Sequence, residues 1–526
     1  MIRKGDFNMI NLLRIISIVV VNLTISAFAE TFFVLPFDNC SNNGDGSAAT
    51  CASAAGGAGA FKGFENVLWR NPKNVGKMGP GDTLYLVGGN TYLGGLTIGC
   101  GGTQTERIKV SVYGEGTATL DGGGFITNGN SYVTIDGVRG KAIFGDYNYG
   151  IKVINLPAQG GYCYYENVEG GGNGNIITRV ECNGSDATGN LPNANAVIYN
   201  RGGTPFEASY LWIHGPTAGS LDANIRWNKT GILSFGGGVG TDFTSNAIHH
   251  NKIEYIQMDG ICAGGNSSIY NNEISYAYKG GTHADGIVIQ SGGYAKIYNN
   301  YLHDQAGGQM IYIDNVGVVS KSNIYIYNNV LVAAATITSS MINLDPEGGN
   351  LDGIFIMNNT FYGNSAAYVI RGNGRGANAV SNLLIQNNIF SKSGGGVTGT
   401  VYLSTENTFV DNNAFDYNIY MYGASDKIVS WTDGKGRTLD ELRALSPPRE
   451  THGKNGIPNF RAPALGNFRL RGIDYLAKDC GADLSSYFLT DKDGITRPYG
   501  VAWDIGAYEY NTIIPTPANV TVDEKK

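Results

Sequence analysis

The chain has 526 residues, a formal net charge of −7 and only 15 % charged residues. With no basic stripe in view, that balance argues against a nucleic-acid binder. Gly 77 and Tyr 32 exclude a helical or disordered chain and favour many short strands joined by tight turns.

In chain order, the first expected element is a targeting segment over residues 1–29. Arg3, Lys4 and Arg14 give a positive start, Ile15 to Ile25 is mostly apolar, and Ala27-Phe28-Ala29 fits a small-residue cleavage site. The apolar run is short for a membrane span, so a secreted or cell-surface chain without a span in its mature form is expected. Residues 30–79 read as an N-terminal cap: a strand from Thr31 to Leu35, a loop bracketed by Cys40 and Cys51, then a helix from Ala60 to Arg70. Cys40 and Cys51 are the best disulfide pair among seven cysteines, and Cys163 and Cys182, about one short coil apart, could bridge adjacent rungs. Cys100, Cys262 and Cys480 have no evident partner.

From about residue 80 to 418 the pattern is that of stacked coils. Thr83-Leu84-Tyr85-Leu86-Val87 alternates with period two, and similar runs follow at Leu96–Ile98, Ile108–Val112, Ala118–Leu120 and Val133–Ile135. Residues 150–245 are less regular and read as coils with long insertions. Five Asn-Asn pairs then recur, at Asn271-Asn272, Asn299-Asn300, Asn328-Asn329, Asn358-Asn359 and Asn387-Asn388, with first members 28, 29, 30 and 29 residues apart. A fixed period of this length marks units that bury their apolar faces only by stacking on one another. Asn suits the turn between short strands because it tolerates left-handed backbone. Amides recurring about 4.8 Å apart can also bond to each other as a ladder. Beyond the coils, residues 419–511 read as a closing segment with a short helix at Leu439 to Leu445, and residues 512–526 as a polar tail.

Three stretches resemble the right-handed parallel β-helix proteins of the pectate-lyase-like superfamily: PGDTLYLVGGNTYLGGLTI (Pro80–Ile98), the Asn-Asn array, and DKDGITRPYGVAWDIGAYEY (Asp491–Tyr510). The resemblance implies an all-β, right-handed parallel β-helix with an N-terminal cap and a C-terminal closing segment. It says less about chemistry, since one fold hosts many activities. GGTHADGIVIQ (Gly280–Gln290) is also similar to a stretch of family 9 pectate lyases. That likeness implies a calcium-ligand role for Asp285 and a nearby lysine as base, although Ile287 to Gln290 holds no lysine.

In a solenoid, equivalent positions on successive coils form rows. Taking Ile287/Ile289, Ile311/Ile313, Ile342/Leu344 and Tyr368/Ile370 as inward, the position before the strand stacks Asp259, Asp285, Gln309 and Ser340. The outward position stacks Val288, Tyr312, Asn343 and Val369. The position after it stacks Gln290, Asp314, Asp345 and Arg371. Asp259 and Asp285 on neighbouring rungs would hold a hard cation such as calcium or share a proton, with His283 beside them as general acid or base. An aspartate before a glycine also caps a turn with no further role. Asp314 and Asp345 under Arg371 would make a catalytic pair with a clamp for a sugar carboxylate, or a solvated charge ladder. Tyr312 would stack on a sugar ring or pack under a loop. His283, Asp285 and Asp314 are therefore the expected catalytic residues. Gln290, Tyr312, Asp345 and Arg371 are the expected substrate contacts, and Asp259 and Asp285 the expected metal ligands. The nearest basic residues for a lyase are Lys279 and Arg371. The expected function is a secreted, monomeric polysaccharide lyase, epimerase or hydrolase acting on an acidic glycan. The rival is a non-catalytic carbohydrate-binding or adhesive solenoid.

Overall fold

A computed structural model describes residues 29–512 apart from 71–76, 139–148, 158–159, 169, 185–195, 202–204, 216–229, 235–245, 257, 278–283, 292, 306–307, 315–319, 334–339, 347, 364–367, 373–379, 392–400, 404–413, 424 and 431–434. Short alternating strands build three long sheets of 14, 13 and 13 strands, and each sheet pairs a strand with its equivalent one coil away. The pairing is parallel throughout the body of the array. The chain is a parallel β-solenoid.

The period-two alternation sends one apolar row per strand into the bore. In the first sheet Ile248, Ile269, Ile297, Ile326, Ile356 and Ile385 are successive Cα partners. In the third, Ile232, Ile261, Ile287, Ile311, Ile342 and Ile370 are. All twelve are fully buried in a single core cluster running the length of the coil. The described strands from Ile151–Ile154 to Thr230–Ser234 join the same sheets in regular order, as coils like the rest.

The paired asparagines divide two tasks between them. The first members, Asn271, Asn299, Asn328, Asn358 and Asn387, all sit in left-handed backbone with φ between 51° and 58°, which Asn accepts at little cost. The second members form a buried ladder. Each Nδ2 donates to the Oδ1 one coil on, from Asn251 through Asn272, Asn300, Asn329, Asn359 and Asn388 to Asn418, at 3.0–3.1 Å. Each of those Oδ1 atoms also accepts the backbone N–H of the preceding asparagine in the ladder. The ladder thus extends beyond the five pairs at both ends, where His250 and Tyr417 take the left-handed place.

Three expectations change. The helix expected over Ala60 to Arg70 is instead a two-residue strand, Phe61–Lys62, and a single turn, Phe64–Asn66. Gly63, at φ 76°, separates them in a conformation a helix cannot contain. The solenoid also begins earlier than residue 80, because Thr31–Leu35 already pairs with Thr83–Val87 as a rung. Finally, the end of the bore is closed by the helix Leu439–Arg443, whose Leu439 and Leu442 enter the main core. The residues after it turn back along the side of the solenoid. Phe460, Phe468, Leu470, Ile505 and Tyr508 pack on Val330, Ile389 and Ile419 of the second sheet. Leu484, Phe488 and Trp503 pack on Tyr325, Tyr327, Phe355 and Met357 of the first. The left-handed asparagines meet this segment directly: Asn328 donates to Thr490 O, Asn358 to Asp504 O and Asn387 to Ala482 O, at 2.7–2.8 Å.

Both expected disulfides, Cys40–Cys51 and Cys163–Cys182, are present. Cys100 and Cys262 are buried free thiols, and Cys480 is free and part-exposed. Among the described residues no helix is long and apolar enough to cross a membrane.

Candidate functional site

The strands Ile261–Gly264, Ile287–Ser291, Ile311–Asp314, Ser340–Asp345 and Tyr368–Gly372 lie side by side in the third sheet. Their inward isoleucines fix which side chains point away from the bore. The pairing makes the outward row Cys262, Val288, Tyr312, Asn343 and Arg371. Arg371 therefore belongs beside Asn343, not beyond Asp345. Val369 is fully buried in the core. The expected alignment of the last rung was two residues out, because Tyr368 and Ile370 look like the Ile-x-Ile pair of the other coils while Ile370 is the true partner of Ile342. The remaining rows stand: Asp314 and Asp345 are Cα partners, and Gln290 sits at an irregularity in the pairing between Ala263 and Gly264.

From Cys262 to Asn343 this outward row is buried, while Arg371 is half-buried. Cys262, Val288 and Tyr312 form a small cluster of their own. Asn343 is 2 % exposed, Asp314 6 % and Asp345 1 %. Tyr312 Oη donates to Asp345 Oδ2 at 3.3 Å. Burial, and after it the charges of Asp314 and Asp345, push the phenol far above its ordinary range. Burial likewise pushes the Cys262 thiol well up, assisted by Asp259, Asp314 and Asp285. Asp259 and Asp285 stand just before their strands and Asp314 and Asp345 end theirs, so carboxylates flank the row at both strand ends. Two buried polar atoms here, Asn343 Oδ1 and Ser340 Oγ, have no hydrogen-bond partner among the described residues. Leaving such groups unpaired costs about 1–3 kcal/mol each, a cost that a bound ligand would remove.

A buried lysine, Lys321, which the sequence reading missed, feels the charge of Asp314. It opens the strand Lys321–Tyr327, is 1 % exposed, and its Nζ donates to Gln290 O at 3.3 Å. Burial lowers its pKa to about 8, partly opposed by the charge of Asp314. Its Cα partner is Leu351, which in turn pairs with Val380, and both are core residues. A lysine seven residues before the first asparagine of a coil, where the next two coils have Leu and Val, is a signal that counting along the sequence exposes.

Asp259 and Asp285 take a different part. Asp259 Oδ1 accepts the backbone N–H of Asp285 at 3.2 Å, and Asp285 Oδ1 accepts that of Gln309 at 2.5 Å. Each carboxylate therefore satisfies the donor one coil on, a short acidic counterpart of the asparagine ladder. The turn-capping role is thus present, and one oxygen of each is committed to it. Oxygen donors suit calcium, but among the described residues no group of three or more His, Cys, Asp or Glu side chains is arranged to hold a metal ion. His283 and Lys279 lie outside the described residues.

No family model matches the chain, and no curated protein sequence matches it. Solved structures do. The pectate lyase Pel9A is 15 % identical, with 92 % of this chain and 97 % of that one covered and a TM-score of 0.42. The complex of XylC with xylose is 11 % identical over 91 % and 98 %, with a TM-score of 0.45. The A-module of the mannuronan C-5 epimerase AlgE4 of Azotobacter vinelandii is 11 % identical over 66 % and 81 %, with a TM-score of 0.36.

Proposed function

We propose that the chain is a glycan-active enzyme that cleaves an acidic polysaccharide by β-elimination at the outer face of the third sheet. The observation that carries this reading is the buried polar patch of Tyr312, Ser340, Asn343 and Lys321 between the carboxylates of Asp285, Asp314 and Asp345. Ser340 Oγ and Asn343 Oδ1 in it have no partner among the described residues, a cost that a bound ligand would offset.

Lys321 is the base. With its pKa at about 8, a useful fraction of the amine is neutral near neutral pH and accepts a proton. It takes the proton on the carbon next to the sugar carboxylate. The electron pair left behind forms the carbon–carbon double bond as the bond to the leaving oxygen breaks. Tyr312, held protonated by its surroundings, returns a proton to that oxygen. Arg371 faces the sugar carboxylate and offsets the repulsion from Asp314 and Asp345. Calcium enters only as an assay variable.

The test is incubation of the whole protein with polygalacturonate, alginate and glycosaminoglycans, with and without calcium. Ultraviolet absorbance of unsaturated uronates, lost in Lys321→Met, is the expected result. Reducing ends without that absorbance would indicate a hydrolase built on Asp314 and Asp345. Binding without any product would leave the non-catalytic solenoid.

A further inference from the structure

The side-docked segment holds a depression against the second sheet. It has a volume of about 350 Å³ and opens between Tyr362 of the second sheet and Ile457, Pro458, Asn459, Phe460 and Tyr475 of the returning chain. Tyr475 is 87 % exposed and Ile457 73 %. Single exposed apolar residues are ordinary, but Ile473 and Leu465, at 74 % and 86 % exposed, lie within two residues of the same lining. The segment presents these side chains although its own core, around Phe460 and Phe468, is complete.

Its chemistry is uncharged. The acidic side chain in the lining, Asp474, is 6 % exposed and spends both oxygens on backbone N–H groups: Oδ1 on Leu476, Ala477 and Lys478, and Oδ2 on Asn459. Among the described residues no lysine or arginine lines the depression. Asn459 is exposed and lines the depression together with Tyr475. Flat aromatic faces beside a polar amide, without charge, match a pyranose ring that has C–H groups on its faces and hydroxyls at its edge.

We infer that this depression is an accessory subsite for a neutral polysaccharide chain, separate from the acidic patch of the third sheet. The choice of a sugar as ligand rests on the glycan-active reading, but binding here needs no turnover. It would hold the protein on a neutral glycan that accompanies the acidic substrate.

The experiment is native electrophoresis of the whole protein in gels cast with xylan, glucomannan or polygalacturonate. Slowed migration in at least one neutral gel is expected, with Tyr475→Ala and Asn459→Ala each losing most of the retardation and Lys321→Met keeping all of it. Tyr475 is almost fully exposed, so its loss does not threaten folding. Unslowed migration of the parent protein in both neutral gels would overturn the inference, as would a Tyr475→Ala variant as retarded as the parent. Retardation in polygalacturonate alone would assign binding to the third sheet. Loss of uronate cleavage in all assays, with neutral-gel binding intact, would remove the catalytic reading and leave this one.

Discussion

Lys321 occupies a place in its coil that the next two coils give to Leu351 and Val380. Its folded pKa of about 8 is below the ordinary 10.5, so the folded chain binds fewer protons than the unfolded one between those values. Stability from this group therefore rises as pH rises through that window, and below it the buried charge is a standing cost. Lys321→Met is expected to melt at or above the parent temperature at neutral pH while losing turnover. The parent's rate should climb towards pH 8 as the amine becomes neutral; a flat profile there would remove Lys321 as base. Asp285 calls for the opposite pattern. Asp285→Asn keeps an oxygen for Gln309 N–H and should melt within a few degrees of the parent, whereas Asp285→Ala should cost about 1–3 kcal/mol. Equal melting of both variants would show that the bond at Gln309 carries no weight. The row of Asp259 and Asp285 was legible because Asp-Gly stands just before the strand in both coils, at Asp259-Gly260 and Asp285-Gly286. Arg371 was misplaced because Tyr368 mimics the isoleucine that begins the run.

The asparagine ladder is the element that most fully follows from the sequence. Asn329 accepts from the N–H and Nδ2 of Asn300, and donates through Nδ2 to Asn359 and to Ile297 O. Asn329→Ala leaves two buried donors of Asn300 without an acceptor, so a loss of at least about 2 kcal/mol is expected in urea unfolding. Parent-like unfolding would mean that water replaces the amide. The ladder's far end was not legible. There Glu450, from beyond the repeat, accepts from Asn418 Nδ2 and Tyr420 Oη at 2.7 Å each. Burial raises its pKa from 4.5 to about 7. A raised carboxyl contributes stability that is present below pH 4.5 and lost as pH rises through about 7. Glu450→Gln is expected to flatten the melting temperature across that window, and an unchanged pH dependence would assign the effect elsewhere. The helix expected after Ala60 failed for a related reason: local propensity was read without the strand Thr31–Leu35, to which Phe61–Lys62 is recruited.

At the scale of the whole molecule, the solenoid body was plain from its period, but the return of residues 455–511 along its flank was not. Contacts across more than a hundred residues of sequence, such as Asn358 with Asp504 and Gly506, leave no periodic trace. The link between the two parts converges on Arg497. Its guanidinium bonds Glu509 at 2.6 Å, Asn328 Oδ1 at 3.1 Å and Gly506 O at 2.9 Å, wholly out of solvent. Arg497→Met strands the Glu509 charge and is expected to cost about 3–5 kcal/mol, read as a lowered denaturation midpoint. A midpoint within error of the parent would mean that the flank contributes little to holding the coils.

The left-handed asparagines at positions 328, 358 and 387 each donate to a backbone carbonyl between residues 482 and 504, which are synthesised after all three coils. On the ribosome, the middle coils therefore emerge with a seam of unsatisfied amides and an uncovered apolar flank. They must wait in that state for the carboxy-terminal residues. Vectorial growth, which suits a one-dimensional stack, is thus overruled here by a finishing step, and a nascent chain halted before residue 480 is a client for chaperones.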